Sequence, residues 1–180
     1  MKKVGILLAD GFEDIEALTV LDVIRRAGIT CDLISIKNEF VKSSHDLLVK
    51  SDKILNEKME YDLIVLPGGL PGATNLRDDE RVINLLKKQN EEGKLIAAIC
   101  AGPIALGKAG LTEGRNITSY PGYENELPNC KYVENDVVVD NNIITSRGPA
   151  TSMIFSYKLL EILGEKEKAE NIARGMLYKG

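Results

Sequence analysis

Histidine is almost missing from this chain: His45 is the single one in 180 residues. That excludes any mechanism built on two imidazoles, and a histidine-rich metal site with it. Cysteine is scarce as well. Cys31, Cys100 and Cys130 are odd in number and stand at no metal-binding spacing, so neither a disulfide framework nor a metal site is expected. Free thiols suit a reducing, cytosolic setting. Long apolar runs are missing too. LIAAIC at 95–100 is among the longest and falls far short of a bilayer span, so no membrane partner is expected. The opening MKKVGILLADGFEDIE imitates a signal peptide. Acidic residues follow its apolar run at once, with no small-residue cleavage site, and a first strand is expected instead. Nor is there a basic excess. The net charge of −4 argues against nucleic acid as a main partner.

What remains is an ordinary globular composition, 44% hydrophobic and 28% charged, of a length that fits one domain over 1–180. Apolar runs of strand length occur at 3–9, 31–36, 62–69 and 95–100, with shorter candidates at 117–120, 137–139 and 143–147. Helical spacing recurs at 14–27, 79–93, from 103, and at 150–163 and 165–178. Continuously apolar strands alternating with helices imply an α/β fold, its mostly parallel sheet covered on both faces. The segment 38–60 is less regular and suits a hairpin or an extra edge strand. In such folds a site lies beyond the carboxyl ends of the strands, which points to the loops 9–16, 67–75 and 100–103.

Three features carry chemistry. In IAAICAGPIAL (96–106) a buried strand ends at Cys100, small residues follow, and a helix starts near Pro103. This is the geometry of a nucleophile elbow, and N–H groups at a helix start would lower the thiol pKa. A cysteine at a strand end is equally readable as a small buried hydrophobe. In LPGGLPGATNL (66–76), Gly68 and Gly69 let the backbone approach a ligand and offer N–H groups to an oxyanion, although a plain strand-to-helix turn accounts for them as well. In DGFEDIE (10–16) most carboxylates read as helix caps or solvated groups. Glu16, one turn into the helix, would tend to hold a proton if packed against a thiolate, as a general acid/base does. His45, in a polar stretch, reads as a surface residue, and Arg26 as a helix C-terminal cation.

Together these residues closely resemble the ThiJ/PfpI superfamily, on the branch of the Parkinson-disease protein deglycase. The resemblance covers essentially the whole chain and rests on GFEDIEAL (11–18), RRAG (25–28), VLPGG (65–69), AAICAGP (97–103) and TSRGP (145–149), in order. It implies a flavodoxin-like three-layer sandwich that forms homodimers. It implies a nucleophile at Cys100, a partner carboxyl at Glu16, and an oxyanion pocket from N–H groups near Gly69 and Ala101. Arg26 and the region of His45 match positions near the dimer contact, and the turn with Gly148 and Pro149 would frame the pocket. Several relatives carry histidine where this chain has Tyr120, which can donate a hydrogen bond but is no base near neutral pH. The protease branch has histidine directly after its cysteine. Ala101 stands there, so a Cys-His protease or amidotransferase triad is not expected.

The function implied is a cofactor-free enzyme of glyoxalase III-like or deglycase-like type, acting on reactive dicarbonyls or early glycation adducts. A second possibility is an oxidative-stress sensor or redox-regulated chaperone using the same cysteine.

Overall fold

The first strand, β1 (Lys3–Leu8), is buried along five of its six residues, as a strand covered on both faces must be. The computed structural model describes residues 2–56 and 58–179. After β1 the chain enters α1 (Asp14–Arg26), where Ala17, Val20, Val23 and Ile24 form the buried stripe. Glu13 caps this helix by accepting from the Glu16 N–H at 2.9 Å. The chain continues into β2 (Thr30–Ser35). The irregular segment holds both structures expected of it. β3 (Phe40–Lys42) and β4 (Leu48–Lys50) form an antiparallel hairpin, and β5 (Lys53–Ile54) pairs with β2 at the sheet edge.

The central strands are β6 (Leu63–Leu66), β7 (Leu95–Ile99) and β11 (Ile143–Ser146), with β10 (Val137–Asp140) at the far edge. The seven-stranded order is β10-β11-β7-β6-β1-β2-β5, and only the β10–β11 pairing is antiparallel. Alternation along each strand separates two cores. Val4, Ile6 and Leu8 face α1 and α5 (Ser152–Ile162), against which α6 (Lys166–Gly175) packs. Leu7, Ile64 and Leu66 face the opposite layer, made by α2 (Gly72–Asp78), α3 (Glu80–Glu91) and α4 (Ile104–Lys108). The result is the expected three-layer sandwich.

LPGGLPGATNL makes a strand-to-helix turn, leaving β6 and entering α2 at Gly72. One expectation needs correction. The strand expected at 117–120 is short. Only β8 (Asn116–Ile117) pairs, with β9 (Lys131–Tyr132), in a small separate sheet. The next N–H groups are spent elsewhere: Thr118 N–H on Thr145 Oγ1 at 3.0 Å, and Tyr120 N–H on the Cys100 carbonyl at 2.9 Å. No helix among the described residues is long and apolar enough to cross a membrane.

Candidate active site

The chain runs from β1 to β2 on one side, then returns to place β6 on the other side of β1. This reversal opens a crevice at the carboxyl ends of β1 and β6, and β7 ends beside it. The first turn of α1 after β1 carries Glu16, and the loops after β6 and β7 carry Gly68–Gly69 and Cys100.

Cys100 follows β7 directly. Its φ of +62° lies in the left-handed region, costly for a residue with a side chain. The turn is held by hydrogen bonds on both sides. Cys100 N–H donates to the Ser146 carbonyl at 3.0 Å, and Gly102 N–H donates to the Ile99 carbonyl at 2.8 Å. Gly102 must be glycine, since a Cβ there would stand 2.4 Å from the Leu66 carbonyl oxygen. Backbone N–H groups of Ala101 and Gly69 reach the sulfur and favour its anionic form.

Glu16 is fully buried. Its Oε2 accepts from the Gly68 N–H at 2.7 Å, while the buried Oε1 has no conventional hydrogen-bond partner. The carboxyl and the Cys100 thiol are close enough to perturb each other. Burial lifts Glu16 from its ordinary 4.5 to about 7. The thiol is pushed up as well, by burial first and by the Glu16 charge second. This corrects the expectation that a helix start alone would lower it. Above about 7 the pair therefore holds one proton. When that proton sits on Glu16, the repulsion vanishes and the carboxyl becomes a donor to sulfur. Ala101 and Gly69 then face a thiolate with nothing opposing them.

Gly68 separates the two groups and has no room for a side chain. An added Cβ would lie 2.7 Å from both Cys100 Cβ and Glu16 Oε2. Gly69, at φ +84°, is pressed against Glu13, where a Cβ would meet the backbone nitrogen at 2.4 Å. Glu13 is one of the carboxylates of DGFEDIE that do cap the helix. The capping bond that starts α1 also fixes the backbone of Glu16.

The remaining expected residues divide. Gly148 and Pro149 adjoin Cys100 through Ser146, and the Tyr120 ring lies over Gly148, 3.3 Å from where a Cβ would stand. Tyr120 is about half exposed, turned along the rim. Arg26 is not brought to the sulfur within this chain. It stands ten residues beyond Glu16, about 15 Å along the helix, and pairs with Asp22 at 2.6 Å. His45, in the β3–β4 turn, binds Asp14 at 2.6 Å beside the α1 N-terminus, again away from Cys100. Glu13, Asp14 and His45 bring ligand-type atoms within 4.8 Å of one another, but Asp14 and His45 are already paired and Glu13 is already a cap. A cavity of about 350 Å³ opens between the ends of β1 and β2, lined by Asp10, Ser35, Lys37, Asn38 and Asn75. Cys100 is not part of its wall, and its carboxylates Asp78 and Asp79 are paired with Arg77 and Arg81.

Cys31 and Cys130 offer no comparable chemistry. Burial pushes the Cys31 thiol to about 12 and raises Cys130 with no opposing carboxyl.

Residues 2–162 match the model of the DJ-1/PfpI family. The chain is 41% identical to protein dj-1beta of Drosophila melanogaster over 98% of this chain and 97% of that one. It is 31% identical to a Schizosaccharomyces pombe protein named glutathione-independent glyoxalase DJ-1, over 98% of each. The crystal structure of Drosophila DJ-1beta superposes with a TM-score of 0.95 at 40% identity, and that of oxidized Toxoplasma gondii DJ-1 with 0.95 at 39%, each over the full length of both chains. The crevice with its cysteine and buried glutamate is thus carried by a chain that belongs to the DJ-1/PfpI family.

Proposed function

We propose that the protein is a cysteine-dependent, cofactor-free glyoxalase acting on small 1,2-dicarbonyls such as methylglyoxal. The observation that carries this reading is the partly exposed Cys100 set beside the fully buried Glu16, with backbone N–H groups of Ala101 and Gly69 at the sulfur. The Schizosaccharomyces pombe relative named a glutathione-independent glyoxalase supports it.

In the reaction, Cys100 thiolate attacks the aldehyde carbon and a C–S bond forms. The former carbonyl oxygen takes the proton held by Glu16, giving a hemithioacetal. Glu16, now a carboxylate with a pKa near neutrality, removes the C1 proton, and the electron pair moves into an enediolate. The proton returns to C2 while the hydroxyl proton passes from the C1 oxygen to the C2 oxygen, leaving a lactoyl thioester. Water cleaves that ester to lactate and restores the thiol. Gly69 and Ala101 N–H groups steady the negative charge that forms on the oxygen of the attacked carbon. On a glycated amine the same steps release the repaired amine as well, which is the deglycase form of the reading.

A homodimer belongs to the proposal. Ile15, Leu48 and Leu70 are 53%, 62% and 53% exposed, on three segments that meet around the α1 N-terminus beside the crevice. A second subunit laid there would cover them and narrow the site. The free thiols support a reducing, cytosolic setting. A second use of the same sulfur, as a sensor of oxidants, is favoured by the likeness to a relative crystallised in an oxidized state.

The test is lactate formation from methylglyoxal by the purified protein. Wild type is expected to turn over and Cys100→Ala to lose at least a hundredfold. Equal rates in the two would overturn the mechanism.

A further inference from the structure

Building on that reading, we infer that Tyr123 supplies the hydroxyl that binds the second carbonyl oxygen of a dicarbonyl substrate at Cys100. A dicarbonyl has two oxygens to be held. The N–H groups of Ala101 and Gly69 cluster at the sulfur and suit the oxygen of the attacked carbon. The neighbouring oxygen, which becomes the enediolate oxygen, needs its own donor. Of the side chains expected to matter, none supplies it within this chain: Tyr120 lies over Gly148 and is half exposed, while His45 and Arg26 are engaged with Asp14 and Asp22.

Tyr123 is differently placed. It packs against the same small apolar cluster as Cys100, formed by Ala73, Ala101 and Ile104. Ala73 lies in the first turn of α2, Ala101 directly follows the cysteine and Ile104 opens α4, so Tyr123 packs where the turn around Cys100 meets the starts of two helices. Its hydroxyl makes no hydrogen bond among the described residues, whereas Tyr61 and Tyr132 do use theirs. Its backbone is anchored, because its carbonyl accepts from Glu126 N–H at 2.9 Å at the start of a short 3-10 turn (Glu124–Glu126). Burial raises the phenol pKa, and the charge of Cys100 raises it further, so the oxygen lies within electrostatic reach of the sulfur and stays a donor. A donor, neutral and unused, facing a thiolate across small side chains is suited to a substrate oxygen rather than to structure.

The role involves no proton loss from Tyr123. The hydroxyl donates a hydrogen bond that shortens as charge grows on the substrate oxygen, so its contribution falls on the transition state. A tyrosine that merely filled the apolar cluster would tolerate loss of the oxygen.

The test compares wild type with Tyr123→Phe in two assays. The first is lactate formation from methylglyoxal across substrate concentration. The second is the labelling rate of Cys100 by methyl methanethiosulfonate, a thiol reagent without a carbonyl. The expected result is a fall in kcat/KM of about tenfold or more, mostly in kcat, with the labelling rate within about twofold and so the turn intact. Unchanged kcat/KM in Tyr123→Phe beside an active wild type overturns the role of Tyr123 and leaves the glyoxalase reading standing. Parallel loss of turnover and of labelling also overturns it, since the oxygen would then serve the thiol or the fold. A wild type that labels normally but makes no lactate removes the glyoxalase reading itself, and the inference with it.

Discussion

Replacing Glu16 with glutamine should make the protein more stable at high pH. Glu16 is fully buried, and its carboxyl rises from 4.5 to about 7 on folding because burial penalises its charge. The sign follows from proton binding. Below pH 4.5 the folded and unfolded chains both hold the proton, and the group contributes no difference. Between 4.5 and about 7 the unfolded chain releases it while the folded chain retains it, so stability falls as pH rises. The slope is about 1.4 kcal/mol per pH unit, and the full penalty above the window is about 3 kcal/mol. Glutamine keeps an acceptor for the Gly68 N–H, bonded at 2.7 Å in the native protein, and carries no charge to bury. Urea unfolding at pH 5 and pH 8 measures the difference. Wild type should lose about 2.5 kcal/mol more than Glu16→Gln between the two conditions. Parallel stability curves would refute the reasoning, because Glu16 would then be no more costly to ionise in the folded protein than in the unfolded one.

Other consequences are equally concrete. Gly68→Ala puts a Cβ 2.7 Å from Cys100 Cβ and from Glu16 Oε2, so thermal unfolding should show a loss of about 1–3 kcal/mol and lactate formation should fall more than tenfold. Mild iodoacetamide at pH 8 should label Cys100, which is partly exposed, and spare Cys31, which is buried; peptide mapping that finds Cys31 labelled as fast would contradict this. The hydrogen bond to Asp14 raises the His45 pKa above its ordinary 6.5, and a proton NMR titration should show it returning toward 6.5 in Asp14→Asn. Leu48→Glu should shift sedimentation toward the monomer, and an unchanged profile would remove the proposed contact.

Much of this architecture was legible in the chain because it rests on local pattern. The apolar runs of β1 and β7, and the stripe Ala17, Val20, Val23 and Ile24 of α1, are buried as their periodicity implies. The likeness of CAGP to a nucleophile elbow is matched by the left-handed backbone at Cys100. What stayed hidden depends on distant partners. β8 stops at Ile117 because Thr145, on another strand, takes the next N–H. The rise in the thiol pKa comes from burial and from Glu16, eighty-four residues away in the chain, and no local reading of the helix start contains it. Tyr123 drew no notice because nothing in GYENE marks it. Only the fold sets it against the cluster that also holds Cys100.

The shared proton is tested most directly by the pH dependence of Cys100 alkylation in wild type and Glu16→Gln. In wild type the Glu16 charge that forms as pH rises through about 7 opposes loss of the thiol proton, so the alkylation midpoint should lie above the ordinary 9.0. In Glu16→Gln that charge is absent and burial alone raises the thiol, so the midpoint should move down. Equal midpoints, or a higher one in the variant, would contradict a proton shared between Glu16 and Cys100.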